Sequence, residues 1–247
     1  MIALLVISLV SSAYCTEYSD EFARMLIPLS SAAYVDNPWM CLALHFPKSV
    51  MQRQITIDCG KKTTCSGFTA VLHSHKAIDV SFRLCGGTTD NLQLLDEAIK
   101  SIINSWVDWP YGGMVSKYLF DAFMEIWETG MREDMELLRA RYPNYEVWVT
   151  GHSLGGAIAS LAAHYAAYLL TTPSELLIGE TSYPISHLST RGQEIFYKEG
   201  MAPNDYIVCK EYEDFKCSDG LWVHTSIKNH IKYFGKVIRD WGTAGCL

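Results

Sequence analysis

The sequence is short of positive charge: 20 Lys and Arg stand against 27 Asp and Glu, a formal net charge of -7. A nucleic-acid surface would need a basic stripe, so no nucleic-acid partner is expected. Long apolar runs are also missing. The most apolar stretch, Met1–Ala13 (MIALLVISLVSSA), is shorter than the roughly 20 residues that cross a bilayer. No transmembrane segment is therefore expected. The chain has no Cys-x-x-Cys pair and no Cys/His spacing of the zinc-site kind, so no metal is expected. Nor does it have internal repeats, low-complexity tracts or Pro/Gly/Ser-rich linkers, and 247 residues are too few for two comfortable domains.

What is present reads as one globular domain, with 49% hydrophobic and 19% charged residues. The apolar run at the start ends in small residues, with a cut expected after Ala13. Residues 1–13 read as a secretory signal, although its basic first part is missing, and 14–247 as a single extracellular domain, expected to be a monomer. Eight cysteines fit an oxidising compartment. Cys59 with Cys65 and Cys209 with Cys217 are close enough to clip short loops. Cys15 and Cys246 lie near the two ends and are expected to staple the termini, which often sit together in compact domains.

Periodicity places the elements. Thr69–Leu72 and Ala77–Phe82 are rich in Val, Ile and Phe and predict two strands paired across the turn His73–Lys76. From Lys117 to Arg139, Leu119, Phe123, Ile126, Trp127, Met131, Met135 and Leu138 recur every three or four residues, predicting one helix with a core-facing stripe. Val147–Thr150 predicts a short buried strand. Ala157–Leu170, crowded with alanine, predicts another helix. Helix, strand, turn, helix is the pattern of an α/β fold with a mostly parallel sheet.

Between that last strand and helix lies Gly151-His152-Ser153-Leu154-Gly155-Gly156, a Gly-x-Ser-x-Gly nucleophile elbow. Strand and helix nearly collide there, so the flanking positions must lack side chains. The Ser153 hydroxyl is expected to project into an open cleft near the positive end of the helix, with the Leu154 N–H facing a developing oxyanion. A serine nucleophile needs a base. His152 shares the tight turn, so its side chain is expected to point elsewhere and pack; His164 is three turns down the helix. His230 comes late in the chain, in the order Ser, acid, His, and is the first candidate; His224 is the second.

Several stretches carry a resemblance to the class 3 (fungal-type) triacylglycerol lipases, most of all to their nematode members. They are Val147–Ala163, the Ser81-Phe82-Arg83 strand end with Gly87-Thr88, Cys209–Gly220, and Asn229-His230-Ile231-Lys232-Tyr233-Phe234-Gly235. The resemblance implies an α/β-hydrolase fold: a mostly parallel central sheet flanked by helices. It also implies Ser153 as nucleophile, His230 as general base, and Thr88 joining Leu154 in the oxyanion hole. It implies a lipid or ester substrate, long-chain acylglycerols above all, met at a lipid–water interface, and no cofactor. Residues between Thr89 and Trp109 form an amphipathic pattern, readable as a lid helix by resemblance or as a core-packed helix.

This sequence departs from the family in three places. Asn229 stands where an Asp usually precedes the His. Leu84-Cys85-Gly86 intrudes between Phe82-Arg83 and Gly87-Thr88. Between the elbow helix and His230 no Asp-Ile-Val-Pro-His-like motif appears, and Gly179–Arg191 matches nothing, so the catalytic acid is unknown and the sheet is expected to be truncated by lost strands. Glu180 is a weak candidate acid and Asp205 a weaker one; a surface carboxylate is the plainer reading of either. Two functional readings follow: an active secreted ester hydrolase, or a catalytically impaired lipid-binding relative, such as a splice form lacking the triad acid.

Overall fold

Val, Ile, Phe and Thr crowd the chain from Ser49 to Gly86, and it folds as a three-strand meander: β2 (Ser49–Gly60), β3 (Thr63–Leu72) and β4 (Ala77–Gly86). The turn at His73–Lys76 brings Leu72 opposite Ala77, as the alternation predicted. The computed structural model describes residues 4–9, 18–60, 63–86, 104–169, 176–181, 192–197, 201–209, 217 and 230–247; over 4–9, 85–86, 167–169, 176–181 and 192–194 it describes the backbone only. The expected helix between Thr89 and Trp109 falls mostly outside these residues; Trp106–Asp108 near its end is a strand (β5), paired with β6 (Met114–Ser116).

β4 leads through helix α3 (Lys117–Ile126) and helix α4 (Arg132–Arg141) to β7 (Glu146–His152), which pairs parallel to β4. The helix expected from Lys117 to Arg139 is interrupted by a π turn at Trp127–Met131, where Gly130 has φ 133°. A Cβ on Gly130 would lie 2.1 Å from the Arg53 guanidinium. Arg53 in turn bonds the buried Asp134 at 2.9 Å. The break is thus the space that lets a cation from β2 reach a carboxylate on α4. Apolar periodicity runs through it unchanged, which is why the sequence reads as one helix.

Helix α5 (Leu154–Leu169) follows β7, and β8 (Leu176–Thr181) pairs parallel to β7 on its far side. Where a truncated sheet was expected, two strands follow α5: β8 and β9 (Gly192–Phe196). Strand β1 (Leu4–Leu9), from the stretch read as a signal, lies between them and antiparallel to both. With β10 (Ile207–Val208) at the edge, the order is β10-β9-β1-β8-β7-β4-β3-β2. Among the described strands only β4–β7 and β7–β8 are parallel, so the sheet is mixed, not mostly parallel. Crossover helices connect only those pairs; the other neighbours are joined by hairpins or recruited from the chain's start, and such connections favour antiparallel pairing.

One face of the sheet packs on α3, α4 and α5, with Phe82, Val149, Phe123, Trp127, Ile158 and Leu161 in its core. The other carries helices α1 (Asp20–Ala32) and α2 (Trp39–His45), whose Leu29 and Leu42 meet Phe68, Leu72 and Trp148. Helix α6 (Ile238–Thr243) lies so close to α1 that a Cβ on Gly242 would stand 2.2 Å from the Ser31 carbonyl oxygen. Cys59–Cys65 and Cys209–Cys217 are disulfides as expected, but Cys246 bonds Cys41, not Cys15. The C-terminus is stapled to α2, which the α1–α6 contact carries alongside it; Cys15 lies outside the described residues.

The Cys41–Cys246 bond closes a span of 205 residues, and Cys59–Cys65 one of 6. Loop-closure entropy then gives the long bridge the larger stabilisation, about 3–5 kcal/mol against about 2. Replacing Cys41 and Cys246 with Ala should lower the urea midpoint more than replacing Cys59 and Cys65. Asp79, on β4, is fully buried and accepts hydrogen bonds from the Ser81 hydroxyl at 2.9 and 3.1 Å. Burial pushes its carboxyl well above the usual range, and the Ser81 bond only partly opposes this. A raised native pKa costs nothing below pH 3.8 and increasingly more as pH rises and the unfolded chain ionises. Asp79→Asn should therefore stabilise the fold by about 1–3 kcal/mol at pH 7 and by little near pH 4, read from denaturation midpoints at both pH values.

Candidate active site

Two close approaches build the elbow. A Cβ on Gly151 would stand 2.4 Å from the Gly155 carbonyl, and one on Gly155 would stand 2.5 Å from the Phe82 carbonyl on the neighbouring strand. Only hydrogen fits at either place. Between them Ser153 adopts φ 59°, a left-handed conformation rarely taken by a residue with a side chain, and α5 starts at Leu154. The N–H groups of a helix's first turn lack intrahelical partners, which leaves the Leu154 N–H available to an anion.

His230 meets Ser153 there. Its Nε2 lies 2.6 Å from Ser153 Oγ, across 77 residues of sequence. Both residues are buried, 4% and 5% exposed, so the hydroxyl does not stand in the open cleft expected of it. Burial, and then the neighbouring His152, pull the His230 pKa down to about 3. Near neutrality the imidazole is therefore uncharged, the form in which a histidine accepts a proton. His230 is not part of the large sheet. It leads into the hairpin of β11 (Lys232–Tyr233) and β12 (Lys236–Val237), which packs on α1 through Tyr233, Ile27 and Ile238. The Arg24 guanidinium lies over the Phe234 ring at 4.2 Å.

The remaining candidates divide. Leu154 is in place at the helix start and buried. Thr88 and His224 lie outside the described residues. Glu180 lies in β8 with its backbone beside Gly151, but the direction of its side chain is outside the description. Asp205 is exposed in a turn, its N–H bonded to the Ala202 carbonyl. His164 accepts the Trp109 indole N–H on Nδ1 at 3.0 Å, well down α5 from the elbow.

Sequence reasoning passed over Tyr34, just beyond the end of α1. Its hydroxyl lies 2.7 Å from His152 Nδ1, and His152 Nε2 lies 2.8 Å from the His230 carbonyl oxygen. His152 does pack, as expected of it, but against the backbone of the other candidate residue. A tyrosine 118 residues away from its partner has no signature in composition or spacing.

Residues 80–178 match the model of the family Lipase (class 3). Over this stretch the chain is similar to the class 3 lipases. The matched stretch runs from β4 through the elbow into β8 and stops short of His230. Lipase ZK262.3 of Caenorhabditis elegans is 27% identical over 300 aligned positions, spanning 93% of this chain and 83% of its own. Because 300 positions exceed this chain's 247 residues, that relative carries residues with no counterpart here. The secreted alkaline triacylglycerol lipase of Penicillium cyclopium is 24% identical over 253 positions, spanning 88% of this chain and 84% of its own. The fold is that of the fungal lipases. Lipase II from Rhizopus niveus superposes with a TM-score of 0.70 at 17% identity, covering 94% of this chain and 98% of that one. The lipase from Rhizopus microsporus var. chinensis gives 0.69 at 21% identity, covering 94% and 90%.

Because the space at Gly155 is bounded by backbone on a neighbouring strand, no side-chain movement can relieve a methyl group there. Gly155→Ala should cost several kcal/mol or abolish folding, whereas the surface substitution Glu136→Ala on α4 should leave the thermal midpoint within a degree or two.

Proposed function

We propose that this chain is a secreted serine ester hydrolase of the triacylglycerol lipase type. The observation that carries the reading is the 2.6 Å contact between Ser153 Oγ and the Nε2 of a neutral, buried His230 at a glycine-flanked elbow. Ser153 attacks the ester carbonyl as its proton passes to His230 Nε2. The tetrahedral oxyanion is held by the Leu154 N–H, with Thr88 as second donor. Collapse breaks the ester bond, and the departing alkoxide takes the proton from His230. Water, deprotonated by the same imidazole, then releases the fatty acid and restores the serine. Protons and electrons balance without a metal or cofactor. Acylglycerols at a lipid–water interface are the substrate class, in keeping with the lipase family match. Secretion follows from residues 1–13 as a signal and from the three disulfides, with 14–247 as the working monomer.

One observation favours a second reading, a catalytically impaired lipid-binding protein. The segment after α5 lacks the family's Asp-bearing motif, and the nematode relative carries residues absent here. In triads whose acid is removed, turnover falls about 10,000-fold.

A fluorophosphonate probe separates the two. Covalent labelling of the folded wild type that disappears in Ser153→Ala, together with release of butyrate from tributyrin emulsion, is the expected result. A folded wild type that takes up no probe would leave the lipid-binding reading. The pH profile gives an independent check. His230 must be unprotonated to act, and its pKa is pulled down to about 3. The acid limb of kcat/KM should therefore fall well below the value near 6.5 of an ordinary histidine.

A further inference from the structure

We infer that His152 is a positioning residue, which fixes the backbone of His230 against the elbow through its Nε2–H, with Tyr34 setting its tautomer. The inference rests on the reading of Ser153 and His230 as nucleophile and base. Its starting point is that His230 lies in a helical turn outside the large sheet, so the ladder that aligns β7 with its neighbours does not itself align His230 with Ser153. By itself, a bond between Oγ and a ring nitrogen holds the ring tip and leaves the backbone behind it room to shift. A second bond, from the residue next to the nucleophile to the carbonyl of the base itself, removes that freedom.

The proton positions follow from the partners. A carbonyl oxygen only accepts, so His152 Nε2 carries the proton. In a neutral imidazole Nδ1 then bears the lone pair, and Tyr34 O–H donates to it at 2.7 Å. The other tautomer would point a lone pair at the carbonyl oxygen and leave the tyrosine hydroxyl facing an N–H. Tyr34 is itself anchored from outside the site: α1 docks on β7 through Ser30 and Thr150, whose hydroxyls are 2.7 Å apart. The Tyr233 ring meets the His152 ring edge-on at 5.3 Å, closing the remaining side.

Charge agrees with this role. The His152 and His230 rings are 5.2 Å apart, so a charged His152 would oppose the imidazolium that forms on His230 during the reaction. Burial holds the His152 pKa down at about 4, with only partial opposition from its bond to the His230 carbonyl. It is a neutral strut at working pH.

The test uses the full chain with p-nitrophenyl butyrate and the fluorophosphonate probe. His152→Phe should lower kcat about 100-fold with KM within about threefold. His152→Gln, which keeps an N–H donor at the same reach, should recover at least tenfold of that. Tyr34→Phe should cost about tenfold, and adding it to His152→Phe should cost no more than His152→Phe alone, because both act through one bond. A folded His152→Phe within twofold of wild-type kcat, equal losses for Phe and Gln, or additive losses would each overturn the inference. If His152→Phe does not fold, Tyr34→Phe and His152→Gln carry the same comparison. A wild type that neither labels nor turns over would sink the hydrolase reading instead. The placement of His230 is then decided by its ring ¹⁵N resonances: a shift in His152→Gln and Tyr34→Phe supports the strut, and an unchanged spectrum overturns it.

Discussion

Gly155 presses its bare Cα against the carbonyl of Phe82, and that contact locks the start of α5 to the end of β4. Ser153 and Leu154 hang from the same few atoms. Because β4 and β7 run parallel, with Phe82 beside Gly151, the strand ends, Ser153 and the helix start gather at one edge of the sheet. A methyl group at Gly155 would push the helix from the strand and carry the hydroxyl with it. The left-handed backbone of Ser153, costing of order 1–3 kcal/mol, persists because its surroundings over-determine it.

The other half of the site is held differently. His230 reaches Ser153 from a helical turn just before a small hairpin seated on α1, and its own bond to Ser153, the His152 bond to its carbonyl and the packing of Tyr233 with Ile27 and Ile238 help keep it there. Helix α1 touches the sheet at Thr150 and the hairpin at Ile27 and Arg24, and His152 at the end of β7 meets the hairpin directly through the Tyr233 ring. The site therefore joins a rigid elbow to a residue placed by side-chain contacts. The placement of His230 depends on α1 as well as on the strands.

Burial governs the chemistry. Removing Ser153 and His230 from water keeps the imidazole neutral and strengthens the hydrogen bond between them.

Gly-x-Ser-x-Gly between a β-rich run and an alanine-rich run determined the elbow by itself, because the steric demand is local and only glycine meets it. The hairpin at His73–Lys76 and the disulfides Cys59–Cys65 and Cys209–Cys217 were equally legible, since their partners lie within a few residues of each other. Tertiary structure alone decided what depends on distant partners. Cys246 pairs with Cys41 because α1 and α6 pack in van der Waals contact, which no spacing records. The sheet is mixed because hairpins and the start of the chain, as well as crossovers, supply its strands. The apolar composition of Leu4–Leu9 suits a secretory signal and a strand alike, and its pairing with β8 and β9 is visible only in the tertiary structure. Tyr34 and His152 meet across 118 residues, and a hydrogen bond formed at that separation leaves no periodicity in the chain that makes it.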